Sequence, residues 1–375
     1  MEVSQAPALD RPAHAPTAHG DNHFNVLRLA AAVAVLLSHG EFLYRLTMKV
    51  QLPGHTLGSL AVYCFFFISG YLVCQSWHRE PRWGAFWVKR IMRIFPGLIV
   101  ATIFSVAVIG WAMTTLGTAA YWSHRDTWLN LANNMAGIAT VQTLPGVFES
   151  NPFARAVNGS LWTIRYELLM YLLLSTAGVA GWTRHRWVYP LGAGAMAAMW
   201  LWAHQTGHAA TPWLFSMFTI ADMTGFGVVF LLGSTFAAYQ ARRSGWWAAL
   251  ALGGAILAWC CPTIRGVQVG VWICIAAGVF WAAHAGVRRW GGAWPREDLS
   301  YGVYIYAFPI QQAMTEIALR RGWSLLTCLA LSLAVTLGAA AVSWFFVEKP
   351  FISHGQRLLQ HLRARRPGTS VRPAA

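Results

Sequence analysis

The chain has 375 residues, of which 56% are apolar and only 11% are charged. Because soluble domains carry about 25% charged residues, this composition excludes an ordinary soluble globular protein and predicts an all-α polytopic membrane protein. The formal net charge of +15 does not indicate nucleic-acid binding, since basic residues concentrate in loops where they orient a membrane protein. The six cysteines show no metal-ligand spacing, so we expect no metal site.

The first apolar stretch carries two ionisable residues, Arg28 and His39. Eleven residues at about 100° each leave an offset of only about 20°, so one helix presents both on one face, about 16 Å apart. An ionisable residue within a membrane helix is costly and usually functional. The pair therefore predicts a polar cavity that reaches from one membrane surface into the protein. Residues 1–22 precede this stretch and lack the pattern of a signal peptide, so we expect a disordered tail.

A membrane span needs about 20 apolar residues. We predict ten spans with both termini in the cytoplasm, because that orientation places most loop Lys and Arg inside. The predicted spans are 24–44, 59–77, 92–113, 161–181, 186–204, 214–239, 246–262, 267–285, 299–318 and 324–347. Residues 23–352 then form one transmembrane domain with a long loop at 114–160, and residues 353–375 form a basic cytoplasmic tail.

Polar residues of the predicted spans fall into two layers. The inner layer holds Arg28 with Arg90 and Arg93 at the start of span three and Glu348 at the end of span ten. Arginine suits a phosphate-bearing cytosolic ligand, because its planar guanidinium matches phosphate geometry. The inner layer therefore predicts a binding site for such a ligand.

The outer layer holds His39, Arg165 and Glu167 near the outer end of span four, and Asp222 in the outer half of span six. A neutral imidazole whose other nitrogen is held by a carboxylate is a typical general base for a hydroxyl. We predict that Glu167, or otherwise Asp222, orients His39. Structural roles stay open for each residue: a helix–helix hydrogen bond for His39, topology for the arginines, and an interfacial ion pair or helix cap for the carboxylates.

Six separated motifs resemble the acyltransferase 3 family of membrane acyltransferases, which includes O-acetyltransferases of bacterial O-antigens, exopolysaccharides and Nod factors. The likeness covers roughly residues 22–352. The motifs, in chain order, are Arg28-x10-His39, the Phe65–Leu72 segment with Ser69-Gly70, Arg90-x-x-Arg93-Ile94-x-Pro96, Ser160-Leu161-Trp162 with Glu167, Leu299-Ser300-Tyr301, and Phe346-x-Glu348-x-Pro350.

The resemblance implies a cytosolic acyl-CoA donor, acetyl-CoA first of all, and an extracytoplasmic carbohydrate or lipid-linked glycan acceptor. It carries His39 over as the catalytic histidine, Arg28 as its motif partner, and Arg90 and Arg93 as the motif linked to the donor. Ser69, Trp162, Tyr301 and Glu348 are carried over as motif residues without a defined role, and so is the acidic position Glu167. The sequence departs from many members in two places: Lys89 stands where a first basic residue of a pair is usual, and Ala307 stands where many have a histidine.

We therefore predict an inner-membrane O-acyltransferase in which His39 deprotonates a sugar hydroxyl or itself accepts the acyl group as an acyl-imidazole. The rival hypothesis is a transporter or flippase whose Arg, His and carboxylates line a substrate path. Against the rival, the sequence shows no repeat and no matched pair of interrupted spans. We expect membrane lipid but no nucleic acid among the partners, and both a monomer and a homo-oligomer fit the sequence.

Overall fold

The computed structural model describes residues 23–44, 53–137, 140–213, 217–285 and 297–364. The predicted N-terminal tail and residues 365–375 of the predicted C-terminal tail lie outside the described residues. The main helices are α1 (Phe24–Leu43), α2 (Leu57–Arg79), α3 (Trp83–Ile103), α4 (Thr118–Ser123), α5 (Arg125–Ala136), α6 (Ile164–Val179), α7 (Val188–Thr206), α8 (Ile220–Ala238), α9 (Trp246–Cys260), α10 (Ile264–His284), α11 (Ser300–Arg321), α12 (Leu325–Ser343) and α13 (Lys349–Ala364). The described residues also include one antiparallel pair of short strands, β1 (Pro212–Trp213) and β2 (Phe218–Thr219).

Six helical segments of the described chain are long and apolar enough to cross a membrane. They are Phe24–Leu43, Leu57–Arg79, Trp83–Met113, Ile220–Ala238, Ile264–His284 and Leu325–Ala364. This confirms an all-α membrane protein. Helices α6, α7, α9 and α11 coincide with the other four predicted spans, so the number ten and the cytoplasmic termini stay predictions.

Three helix boundaries differ from the predicted spans. Helix α3 begins at Trp83 rather than at residue 92, and this start places Arg90 and Arg93 two to three turns inside the helix. Helix α8 begins at Ile220, because the Thr219 side chain accepts a hydrogen bond from the backbone N–H of Asp222 and caps it. Beyond α12, a π-helical turn at Trp344–Glu348 leads without a break into α13, so residues 353–364 of the predicted tail are helical.

Helix α2 lies at the centre of the bundle, where it packs against α1, α6, α8 and α10. Glycines permit a close crossing with α8. A Cβ atom at Gly70 would lie 1.9 Å from the carbonyl oxygen of Phe230, and one at Gly233 would lie 2.2 Å from that of Phe67. Small residues let membrane helices approach each other closely, so Gly70 of the Ser69-Gly70 motif serves packing and aligns Ser69 within the bundle.

Helix α11 is buried along nearly its whole length although it contains a proline. Pro309 has no N–H, so the carbonyl of Ile305 loses its helical donor. The side-chain amide of Asn158 supplies a replacement at 2.9 Å. One turn later, Gln312 donates to the carbonyls of Phe153 and Ala156. Segment 151–158 of the predicted loop is thereby fastened to the helix.

The predicted loop 114–160 contains two helices, α4 and α5, in its described part. The side-chain amides of Asn130 and Asn134 bond the carbonyl of Val141 at 2.9 and 2.8 Å, so the segment after α5 folds back on it. Gly137 ends α5 in a left-handed conformation with φ of 68°, which glycine adopts without strain. This loop covers the bundle rather than extending from it.

Candidate active site

Helix α1 runs from Arg28, near its start, to His39, near its end, and so connects two polar groups. We call the end that holds Arg28, Arg93 and Asp298 the arginine end. We call the end that holds His39 and Gln311 the histidine end. Side chains at both ends belong to the motifs of the sequence, but their surroundings differ.

The His39 ring is held by Gln311, 272 residues later in the chain. The Nδ1 atom lies 3.3 Å from Oε1 of Gln311. Nε2 of the same amide donates to the Leu36 carbonyl at 2.9 Å. Because the Leu36 carbonyl can only accept a hydrogen bond, the NH₂ group of Gln311 faces Leu36 and its amide oxygen faces His39. That amide oxygen can also only accept. In the neutral ring, Nδ1 therefore carries the proton, and Nε2 is left with a free lone pair.

His39 lines a cavity of about 700 Å³ at the histidine end. We call it the large cavity. Phe308 packs edge-on against the imidazole with ring centroids 5.0 Å apart, and Phe42 lies at 5.5 Å. Among the sequence-predicted residues, Trp162, Arg165 and Asp222 also line this cavity. Its volume falls within the usual 300–1,000 Å³ of small-molecule sites.

Asp222 does not contact His39 in the structure. Its carboxylate accepts hydrogen bonds from the Thr219 hydroxyl at 2.7 Å and the Tyr166 hydroxyl at 3.5 Å. The side chain lies in the first turn of α8, where the helix dipole favours a negative charge. Asp222 thus has the cap geometry that the sequence left open, and it lines the large cavity at the same time.

The predicted contact between Glu167 and His39 is wrong in this structure. Glu167 accepts a hydrogen bond from the Ser69 hydroxyl at 3.0 Å and another from the Tyr171 hydroxyl, and those two hydroxyls lie 2.8 Å apart. The reason is helical geometry. Arg165 and Glu167 are two residues apart and face different directions, so Arg165 faces the large cavity and Glu167 faces α2.

Glu167 lines a second, small cavity of about 50 Å³ together with Arg28, Ser69, Tyr301 and Tyr304. Val62 and Tyr304 line both this cavity and the large one. The Tyr304 hydroxyl lies 2.6 Å from that of Thr163, which fixes the ring between the two spaces. Only a thin wall of side chains thus separates the surroundings of Arg28 from those of His39.

Two motif arginines meet one carboxylate at the arginine end. Nη1 of Arg28 lies 2.9 Å from Oδ2 of Asp298, and Nη2 of Arg93 lies 2.5 Å from the same oxygen. Ser300 donates its hydroxyl and its N–H to the other oxygen at 2.5 and 3.2 Å. Burial alone would raise the pKa of Asp298, but the two guanidinium groups and Ser300 outweigh it and lower that pKa to about 2.

Glu348 and Tyr301 complete this cluster. Glu348 is 1% exposed and accepts a hydrogen bond from the Ser343 hydroxyl at 3.0 Å, and its second oxygen lies 4.0 Å from Nη1 of Arg93. Tyr301 donates to the Ile94 carbonyl at 2.9 Å, with the Arg93 guanidinium 5.9 Å from its ring centre. Gly97 leaves room for both, since a Cβ there would lie 2.9 Å from the Tyr301 ring.

Arg90 differs from the other two motif arginines. Its guanidinium lies 5.6 Å from the ring centres of both Phe86 and Tyr171. Its buried Nε has no hydrogen-bond partner, and no described carboxylate lies within ion-pair distance. Arg28 and Arg93 thus form ion pairs with acids of the protein, whereas Arg90 hydrogen-bonds the Tyr171 side chain and has Glu167 only at a longer distance.

The sequence reasoning missed Asp298 and Gln311. Asp298 directly precedes the Leu299-Ser300-Tyr301 motif, and an acid beside a membrane span was a usable signal. Gln311 and Gln312 are adjacent amides in an otherwise apolar span, where polar side chains usually bond another helix. Both signals were present in the sequence, but neither indicated which residue Asp298 or Gln311 contacts.

Comparison with known proteins agrees with the geometry. The sequence profile described as an acyltransferase domain matches residues 21–348. The chain belongs to the acyltransferase 3 family. It is similar to the O-acetyl transferase of Shigella phage Sf6, with 27% identity over 375 residues that cover 89% of this chain and 97% of that protein.

A second relative is Nodulation protein 10 of Rhizobium leguminosarum bv. viciae, with 27% identity over 363 residues that cover 88% of this chain and 92% of that protein. No solved structure matches the chain. The resemblance inferred from the six motifs is therefore confirmed, and the protein is a membrane acyltransferase.

Proposed function

We propose that the protein is an O-acyltransferase of the inner membrane that moves an acetyl group from cytosolic acetyl-CoA to a hydroxyl of an extracytoplasmic glycan or glycolipid. The arginine end would face the cytosol and the histidine end would face the acceptor. The observation that carries this proposal is the contact of Nδ1 of His39 with the Gln311 amide oxygen, which leaves Nε2 free to act as a base beside a cavity of substrate size.

The donor site in this proposal lies at Arg28, Arg90 and Arg93. Arg90 would supply a positive charge that forms no ion pair with a described residue and whose Nε has no hydrogen-bond partner. Arg28 and Arg93 bond Asp298 and so hold the start of α11 in place, with the donor binding over them. The small cavity is too small for a nucleotide. The nucleotide would therefore stay at the surface of the arginine end, and only the thioester end of the pantetheine arm would enter.

The chemical step brings together the thioester, which enters from the small cavity, and the acceptor hydroxyl in the large cavity. Nε2 of His39 takes the proton of the acceptor hydroxyl, whose oxygen attacks the thioester carbonyl carbon. The carbon–sulfur bond then breaks, and the leaving CoA thiolate takes the proton back from the imidazolium. In the covalent route, Nε2 attacks the carbonyl first, the carbon–sulfur bond breaks and CoA leaves as the thiolate. The acetyl-imidazolium then passes the acetyl group to the hydroxyl oxygen, whose proton goes to the thiolate, and the neutral imidazole is regenerated. Gln311 acts as a positioning residue in both routes.

The test is acetyl-CoA turnover by purified protein in liposomes, with wild type beside His39→Ala. We expect His39→Ala to lower transfer roughly 10²–10⁴-fold, the usual contribution of a general base. His208→Ala is the matched control, because His208 is an exposed histidine after α7 that does not line the large cavity. Full transfer by a folded His39→Ala protein would contradict this mechanism. The absence of acyl-CoA consumption by wild type with membrane extract present would favour a transporter.

A further inference from the structure

Arg165 lines the large cavity without an ion pair to any described residue. Its guanidinium lies 5.4 Å from the ring centre of Tyr166 and 5.8 Å from that of Phe218. Its Nε is buried and has no hydrogen-bond partner. Among the described residues, this cation thus has two aromatic ring contacts and no ion pair, and it lines the cavity.

Neither a stabilising ion pair nor the dipole of helix α6 explains why an arginine lies at this position. A charge within a membrane protein is costly when it lacks a partner. Arg165 is also the second residue of α6, where the helix dipole disfavours a positive charge. Asp222 lines the same cavity but has its own hydroxyl donors and helix terminus, and no ion pair joins it to Arg165.

A second unused donor faces the same space. Gln268 is 3% exposed and lines the large cavity. Its Oε1 lies 3.4 Å from the Tyr63 hydroxyl, and the same side chain hydrogen-bonds His55, whereas its buried Nε2 makes no hydrogen bond with a described residue. A buried polar group without a hydrogen bond is destabilising, so the Nε2 of Gln268 is available as a donor to a ligand in this cavity. The large cavity thus offers a cation and an amide donor to an acceptor group.

We infer that the acyl acceptor carries an oxyanion, a carboxylate or a phosphate, which Arg165 binds in the large cavity while a hydroxyl of the same molecule reaches His39. This inference rests on the proposed function and names the chemical class of its acceptor. A guanidinium matches both oxyanions with paired hydrogen bonds. The Gln268 amide supplies a further donor to the same molecule. The two sources of the oxyanion are an acidic sugar of the glycan and the phosphate that links a glycan to its lipid carrier.

The experiment uses membrane vesicles from cells that make the protein, so that the native acceptor is present. Vesicles receive acetyl-CoA labelled in the acetyl group, and the labelled glycan is separated on an anion-exchange column before and after mild acid treatment, which removes a lipid-linked phosphate. Wild type is compared with Arg165→Gln, Arg165→Lys and Arg265→Gln. Arg265 is an exposed arginine at the start of α10 and is the matched control. Acetyl-CoA binding to each purified variant is measured in parallel.

We expect wild-type label to bind the anion exchanger. Retention after mild acid identifies an acidic sugar, and loss of retention identifies the lipid-linked phosphate. Arg165→Gln should lower the initial rate of labelling roughly tenfold or more, Arg165→Lys should retain part of it, and Arg265→Gln should retain all of it. All variants should bind acetyl-CoA like wild type, because Arg165 does not line the small cavity.

Label found only in neutral glycan, or equal labelling rates for wild type and Arg165→Gln, would overturn this inference and leave the proposed function standing. Wild-type protein that neither binds acetyl-CoA nor labels any glycan would instead overturn the proposed function, and the inference with it. A loss of acetyl-CoA binding in Arg165→Gln alone would assign Arg165 a structural role and would also overturn the inference.

Discussion

The charged groups at the arginine end are paired with each other, whereas polar groups at the histidine end are left without partners. At the arginine end, Arg28 and Arg93 share the carboxylate of Asp298, and Ser300 satisfies its other oxygen. At the histidine end, Arg165 contacts two aromatic rings and forms no ion pair with a described residue, and Nε2 of His39 is left free by the bond to Gln311. Charges that neutralise each other build structure, whereas groups without partners are available to a substrate.

Arg90 shows that the difference between paired and unpaired arginines depends on which residues they contact, and not on their depth in the membrane. It lies one helical turn before Arg93, yet it contacts rings instead of acids. By the same criterion, Arg90 belongs with Arg165 as a cation available to a ligand. The protein thus places one available cation near each cavity and keeps its remaining motif arginines occupied.

The largest effect is expected from breaking the neutralised cluster with Asp298→Asn. Two half-buried guanidinium groups would lose the carboxylate they share, Arg93 keeping only Glu348 at 4.0 Å, and removal of one member of a buried ion pair costs about 3–5 kcal/mol. Thermal unfolding in detergent should show a strong loss of stability. Glu297→Gln is the control, because Glu297 is the neighbouring acid, its ion pair is with Lys349 at the surface, and a glutamine can still accept the hydrogen bond from Trp344. Equal stability of the two variants would mean that Asp298 does not hold the arginine end together.

A smaller effect, on rate rather than stability, is expected from Gln311→Leu. The imidazole would lose the acceptor that fixes its tautomer, so we expect acyl transfer to fall about 100-fold while acetyl-CoA binding is retained. The adjacent Gln312→Leu should do the reverse, because Gln312 anchors Asn151 and the carbonyls of Phe153 and Ala156. It should lower the melting temperature and leave the rate per folded molecule nearly unchanged. Rates that are equal in the two variants would remove Gln311 from the mechanism.

The smallest effect concerns Glu80, which joins α13 to the arginine end through Arg363, with Arg82 and Lys89 alongside. Burial raises its pKa, but hydrogen bonds from Lys89, Arg82 and Arg363 outweigh this and lower the pKa to about 2 from 4.5. A lowered folded-state pKa stabilises the fold above the unfolded value and loses that contribution as pH falls. The melting temperature should therefore decline between about pH 4.5 and 2.

This decline should be weaker in Glu80→Gln, which has no carboxylate to titrate, and also weaker in Arg363→Gln. Melting curves in the same detergent at several pH values measure it. Identical pH profiles in wild type and Glu80→Gln would show that the ion pairs of α13 contribute nothing to stability.

Local features of the sequence were sufficient for much of the fold. Apolar stretches predicted the helices, and the period of the α-helix placed Arg28 and His39 on one face of α1 without knowledge of any other helix. The boundaries were less predictable: α3 begins at Trp83, before the apolar window, and the polar side chain of Thr219 caps α8 after the predicted start of its span. The predicted order and direction of the spans were sufficient to place the motif arginines at one end of the bundle.

The sequence by itself determined the membrane class and the family and predicted candidate site residues, because hydropathy, helical period and motif order are local properties. The tertiary structure alone decided their partners. Asp298 is 270 residues from Arg28, and Gln311 is 272 residues from His39, so no local pattern relates them. The same holds for Glu167, whose carboxylate bonds α2 rather than His39 because the packing of α6 against α2 decides which side chain meets it. Which charges are neutralised, and which stay available to a substrate, depends on helix packing across the whole chain.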